Sequence, residues 1–88
     1  MDRVDDTIRQ VLAEHGQLLV DANKLSPEDD LFRMGMGSMA SINVMLALEE
    51  TFGVEFPEEM LTRNTFSTIS SIKSALERLG VADVAATD

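Results

Sequence analysis

Apolar residues recur at helical spacing in separate stretches of this 88-residue chain, and no segment alternates with the period of a strand. Val4, Ile8, Val11 and Leu12 form one stripe, which predicts a helix over residues 2–15. Asp5 and Asp6 fall in its first turn, where the helix dipole favours negative charge. Gly16 is placed to end it by supplying the left-handed conformation that other residues resist. A second helix is predicted over residues 38–52, stopping at Gly53. Pro57 suits a first helical position and predicts a short third helix through Glu58, Glu59, Met60 and Leu61. The last helix is predicted to begin near residues 65–67, to bury Ile69, Ile72, Leu76 and Leu79, and to end at Gly80. The expected fold is all-α: a small bundle of three main helices plus one short helix, with a long loop between the first two. One domain is expected over residues 1–80, with a frayed tail over 81–88.

That long loop, residues 17–37, is rich in turn formers: Asn23, Ser26, Pro27, Asp29 and Asp30. A structureless connection of this length is unusual in a compact domain unless it is anchored. Leu18, Leu19, Leu25, Leu31 and Phe32 are the expected anchors into the core.

The second helix carries two apolar faces. At about 100° per residue, Val44, Leu48 and Phe52 lie one above another with Met45 beside them. Met39, Ile42 and Leu46 form another stripe, roughly 150° away. Asn43, Glu49 and Glu50 flank that second stripe and are expected to face solvent. Either neighbouring elements cover both stripes, or the second is an exposed apolar patch with an acidic border, the anatomy of a docking surface. Met39 suits docking, because a flexible thioether adapts to more than one partner.

Composition narrows the chemistry. Sixteen acids against seven bases give a net charge of −9, which repels phosphate backbones and excludes nucleic acid as a partner. It predicts basic partners approached with electrostatic steering. Between Glu28 and Glu59 the only basic residue is Arg33. Without cysteine there is no disulfide, thiolate nucleophile or sulfur metal site. With no apolar run of membrane-spanning length and no leader pattern, the expectation is a soluble, cytoplasmic monomer.

The candidate functional residue is Ser38, at the seam between the glycine-rich turn Gly35-Met36-Gly37 and the second helix. The glycines leave its hydroxyl uncrowded. A nucleophilic serine needs a base within hydrogen-bond reach and a third group to orient that base. The single histidine, His15, sits at the end of the first helix and reads as a solvated residue interacting with the helix dipole. One histidine without cysteine leaves only carboxylates for zinc, and Asp29-Asp30 lacks the spacing of a calcium loop. No catalytic residue and no metal site are therefore assigned. Ser38 is either a helix cap or a place where something is attached.

Several stretches together resemble the acyl carrier and peptidyl carrier protein family. They are Asp29-Asp30-Leu31-Phe32, then Gly35 and Ser38; the run from Met45 through Leu48-Glu49-Glu50 to Phe56-Pro57; and Thr65-Phe66-Ser67-Thr68-Ile69. The similarity spans Val4 to Leu79. It implies a 4′-phosphopantetheine arm on Ser38, flanked by Gly37 and Met39 and installed from coenzyme A by a phosphopantetheinyl transferase. The arm brings the thiol that the chain lacks and holds cargo as a thioester. A helix N-terminus is a favourable place for its phosphate.

The chain departs from the family pattern at Gly37 and Met39, where aspartate and leucine are usual, and it is neutral at Ala40 and Asn43. Docking is therefore expected to rest on Met39, Ile42 and Leu46, with Glu49 and Glu50 further along. The leading expectation is a non-enzymatic acyl carrier in a specialised fatty-acid, lipid or polyketide-like pathway. Its partners would be an acyl- or aminoacyl-loading ligase and downstream acyl-processing enzymes with basic or apolar docking patches. The alternatives are an aminoacyl or peptidyl carrier loaded by a stand-alone amino-acid ligase and, favoured by Gly37, an unmodified helical interaction module.

Overall fold

The computed structural model describes residues 3–81 and builds them into three helices and two short 3-10 turns, with no strand among the described residues. Asp2, the expected start of the first helix, and residues 82–88 of the expected tail lie outside them, whereas Val81, the first residue of that tail, is held by its amide's bond to the Leu76 carbonyl at 3.0 Å. Helix α1, Arg3–His15, buries Val4, Ile8, Val11 and Leu12, the stripe that its periodicity predicts. It ends differently from the expectation. Gln17, not Gly16, adopts the left-handed conformation, with φ of 55°. Gly16 answers a different need: its amide donates to the Leu12 carbonyl at 2.8 Å. A Cβ there would lie 2.7 Å from that same oxygen, so only glycine allows the approach.

Helix α2, Ser38–Phe52, buries Ala40, Val44 and Leu48 and stops at Gly53, whose φ of 67° is left-handed. The predicted short third helix is a single 3-10 turn, Glu58–Met60, and Pro57 precedes it as its cap instead of occupying its first position. Helix α3, Ile69–Arg78, starts later than expected. Thr68 caps it: its hydroxyl accepts from the Ser71 amide at 2.9 Å, while the Ser71 hydroxyl accepts from the Thr68 amide at 3.1 Å. This reciprocal pair satisfies two donors at the helix start, with serine in the role glutamate usually fills. Ile69, Ile72, Ala75 and Leu76 are buried, Leu79 is half-buried as the C-terminal cap, and Gly80 closes the helix with φ of 93°.

Helix α1 packs against both α2 and α3. Ile8, Leu12, Leu31, Val44, Leu48, Ile69, Ile72 and Leu76 are excluded from solvent, and no polar side chain among the described residues is buried with them. Phe56 and Phe66 meet edge to face at 5.3 Å, joining the turn after α2 to the segment before α3.

The long loop is anchored, but not by every expected residue. Leu25 and Leu31 are buried, Ala22 and Met36 join them, and Leu18 and Phe32 are half-buried. Leu19 is 84% exposed, which reverses the expectation. Its amide donates to the Met34 carbonyl at 2.8 Å, and this backbone pairing fixes a side chain that points outward. A single 3-10 turn, Ala22–Lys24, forms where Asp21 caps the Asn23 amide. Arg9 of α1 staples this turn: one guanidinium nitrogen donates to the carbonyls of Ala22 and Leu25, both at 2.8 Å, while Nε pairs with Asp5 at 2.7 Å. On the other side, Leu31 donates to the Ser67 carbonyl at 2.7 Å and Ser70 to the Pro27 carbonyl at 3.0 Å. The loop is thus sewn to α1 and to the start of α3, and its last turn delivers the chain to Ser38.

Candidate functional site

Ser38 is the first residue of α2, and Gly37 is the cap before it, with extended geometry and no side-chain bond to the helix. Ser38 is therefore not the N-cap. Its residue is exposed, and no described residue hydrogen-bonds its hydroxyl. The Ser38 carbonyl accepts the Ser41 hydroxyl at 2.7 Å, which turns that neighbouring hydroxyl inward along the helix. The first amides of α2 have no partner within the helix, and no acidic residue occupies the first turn to satisfy them. These donors and the helix dipole favour an anion at this end. A Cβ built on Gly37 would meet nothing within 4 Å, so the approach is open. An exposed hydroxyl beside free amides fits a phosphodiester on the serine oxygen. Base chemistry is not assembled here: His15 is exposed at the end of α1.

The open space at Gly37 gives a direct expectation. Gly37→Asp places a carboxylate at the cap position without a clash, and Ncap aspartate is only slightly better than glycine. Stability should rise by a few tenths of a kcal/mol, read as a higher urea midpoint. A lower midpoint would show that the glycine is required.

The second apolar stripe of α2 is exposed: Met39 is 72%, Ile42 48% and Leu46 52% accessible, and Leu61 extends the patch at 47%. No described element covers it. Asn43 and Glu50 also face solvent. Glu49 differs from its expectation. It is half-buried, and one carboxylate oxygen accepts the Phe56 amide at 2.8 Å. Its charge braces the turn after α2, which leaves Glu50 as the acidic residue bordering the stripe at this end.

A pocket of about 380 Å³ opens beside α2. Ser41, Ile42 and Met45 form its helical wall, and Phe32 enters from the long loop. Leu61, Thr62, Arg63 and Phe66 close it from the segment before α3. The Arg63 guanidinium lies over the Phe32 ring, 4.0 Å from its centroid. In the sequence Phe32 stands out as a loop anchor and as part of the Asp29-Asp30-Leu31-Phe32 motif; the pocket does not show there, because Leu61 and Phe66 of its far wall fall in segments expected to be helical. Among the described residues no group of three or more histidines and carboxylates is placed to hold a metal, and no helix is long and apolar enough to cross a membrane.

The site offers an exposed hydroxyl beside a seat for an anion, an arrangement suited to holding a phosphate-linked group. Comparison with known proteins points the same way. A family model described as "Phosphopantetheine attachment site" matches residues 6–76. The chain is 39% identical over 71 residues to the aminoacyl carrier protein of Agrobacterium fabrum, covering 81% of this chain and 86% of that one. It is 42% identical over 55 residues to the acyl carrier protein of Helicobacter pylori, covering 61% of this chain and 68% of the other. Among solved structures, it superposes on a chain from an engineered Bradyrhizobium japonicum glycine:[carrier protein] ligase complexed with a carrier protein from Agrobacterium tumefaciens and ATP. The TM-score is 0.84 at 37% identity, covering 86% of this chain and 99% of that one. The chain belongs to the phosphopantetheine-attachment family. It is a carrier protein and not an enzyme, and the family's prosthetic group is 4′-phosphopantetheine, held covalently on a serine.

Proposed function

We propose that Ser38 bears the arm and that the protein is an aminoacyl carrier, loaded by a stand-alone amino-acid ligase. The observation that carries this reading is the near full-length similarity to an aminoacyl carrier and to a chain from a crystallised complex of a glycine:[carrier protein] ligase with a carrier protein. Ser38 supports it by position: it is the exposed hydroxyl at the start of α2, beside amides that suit a phosphate. The transferase supplies the base, since no described residue hydrogen-bonds the Ser38 hydroxyl. The Ser38 oxygen bonds to the phosphorus of the phosphopantetheinyl group of coenzyme A. The bond from that phosphorus to the nucleotide half breaks, and the serine proton leaves with the transferase's base. The arm then supplies a thiol for thioester cargo. The reading includes residence in the cytoplasm, where coenzyme A and the loading enzymes are met.

A fatty-acid, lipid or polyketide-like acyl cargo is the second reading, favoured by the similarity to the Helicobacter pylori acyl carrier protein. Loading separates the two. The phosphopantetheinylated protein, incubated with a stand-alone amino-acid ligase, ATP and glycine, should gain a glycyl group by intact mass. Loading by an acyl ligase with a fatty acid, and none by amino-acid ligases, would reverse the order.

The Met39, Ile42 and Leu46 stripe is the proposed docking face for the ligase, because an exposed apolar patch of this kind is unusual on a protein that acts alone. Leu46→Asp should weaken ligase binding by about 1–2 kcal/mol, as the loss of an interface anchor does. The melting temperature should barely change, since the side chain is half in water already. Calorimetry and thermal unfolding check both parts. Global unfolding of the variant would place the stripe in the core.

A further inference from the structure

The chain has no cysteine, tryptophan or tyrosine, which leaves its six methionines as the groups most open to a mild two-electron oxidant. The fold separates them. Met36 and Met60 are buried, at 2% and 7% exposure, and Met34 and Met45 are half-buried against the core. Met1 lies outside the described residues. Met39 is 72% exposed. Among the described methionines it alone stands open to a dissolved oxidant, although Met36 is only three residues away.

Its place in the fold gives that exposure a consequence. Met39 follows Ser38 directly, in the first turn of α2. Helical side chains lean toward the N-terminus of their helix, so the thioether leans toward the end that carries the Ser38 hydroxyl. An enzyme that reacts at this hydroxyl has to cover the residue next to it. Met39 also heads the exposed stripe, whose other members, Ile42 and Leu46, are hydrocarbon and inert to peroxide. As a thioether it offers a polarizable apolar contact; as a sulfoxide it offers a polar group that an apolar partner surface would have to desolvate. The local field favours the sulfoxide. Its negative end is the oxygen, and this end of α2 has neither a side-chain cap nor an acidic residue to answer the positive helix terminus.

We propose that Met39 is a reversible oxidation site that controls access to Ser38, with hydrogen peroxide as the class of oxidant. A sulfur lone pair attacks one peroxide oxygen, the O–O bond breaks, and the second oxygen leaves as water after a proton shift. Sulfur is oxidised to the sulfoxide and the peroxide is reduced. A sulfoxide reductase reverses the step: its dithiol becomes a disulfide and the oxygen departs as water. In the oxidised state the phosphopantetheinyl transferase docks poorly, and the chain stays without its arm until Met39 is reduced. This inference rests on Ser38 being the arm-bearing serine.

The test uses the full chain before modification, treated with hydrogen peroxide until intact mass shows one added oxygen. Peptide mapping should place that oxygen on Met39 ahead of Met34, Met36, Met45 and Met60. Treated and untreated chains are then given coenzyme A and a broad-specificity transferase. No mass gain in the untreated chain overturns the Ser38 reading and this proposal with it. With that gain confirmed, the oxidised chain should show a KM at least fivefold higher, with kcat within twofold and an unchanged melting temperature. Methionine sulfoxide reductases for both sulfoxide epimers should restore the KM. Met39→Leu, referred to its own untreated rate, should lose nothing on treatment. First oxidation at another of the described methionines, an unchanged KM in the oxidised chain, or an equal loss in Met39→Leu overturns the proposal and leaves Ser38 as the attachment point. A lowered melting temperature overturns it as well, since the effect would then arise in the core.

Discussion

Ser38→Ala is expected to abolish modification completely while leaving the fold intact. Incubated with coenzyme A and a broad-specificity transferase, the natural chain should gain one phosphopantetheine by intact mass, and the variant none. Several other serine hydroxyls are engaged within the fold. Ser41 donates to the Ser38 carbonyl, Ser67 to the Asn64 carbonyl, Ser70 to Glu28, and Ser71 takes part in the cap of α3. Stability should change by less than about 0.5 kcal/mol, the range of surface substitutions that touch nothing special. That second part follows from the position of the cap: Gly37, not Ser38, precedes the helix, so no capping bond is lost. An undiminished mass gain in the variant would place the arm on another residue. A large drop in stability would mean that the hydroxyl holds the helix start after all.

The largest effect on folding is expected at Arg9. Its guanidinium bonds two loop carbonyls and one carboxylate, and its side chain is only 12% exposed. Arg9→Ala removes all three bonds and leaves the Ala22 and Leu25 carbonyls without their charged donor. Hydrogen bonds to charged groups contribute about 1.5–3 kcal/mol each, although water entering the gap recovers part of that. A net loss of about 2–4 kcal/mol is expected, a large fraction of the stability of a domain this small. Urea unfolding should report it as a lower midpoint, and amide exchange should quicken first at Asn23, Lys24 and Leu25. Arg9→Lys should recover only part of the loss, since an ammonium lacks the planar fork that reaches three acceptors in fixed directions. A midpoint within about 0.5 kcal/mol of the natural chain would show that the apolar anchors Leu25 and Leu31 hold the loop by themselves.

Both results bear on what was legible in the chain. The faces of α1 and α2 follow from spacing alone, because a helix places residues three and four apart on one side whatever surrounds it. Position Ser38 at a helix start, Gly53 at a helix end and the exposed stripe of Met39, Ile42 and Leu46 follow in the same way. The start of α3 does not. Thr65 to Ser67 have no local bar to helix, but the Ser67 carbonyl accepts the Leu31 amide from the long loop, and the Thr68–Ser71 pair caps one turn later. A cap built from threonine and serine lacks the glutamate that marks the usual signature. Glu49 was misplaced for a similar reason: on the helical wheel it faces outward, and only the return of the chain at Phe56 gives its carboxylate a backbone partner.

The sequence by itself determined the helical class, the serine at a helix start, the absence of any cysteine and the apolar stripe beside that serine. These depend on residue type and on spacing within one element, which local geometry converts directly into position. The tertiary structure decided how the long loop is held, why Leu19 faces water, and where α3 begins. It also brought Phe32, Arg63 and Phe66 to one side of Met45 to make a pocket. Those outcomes depend on pairings between backbone groups far apart in the chain. Any carbonyl can accept and any amide can donate, so side-chain identity does not announce which ones meet.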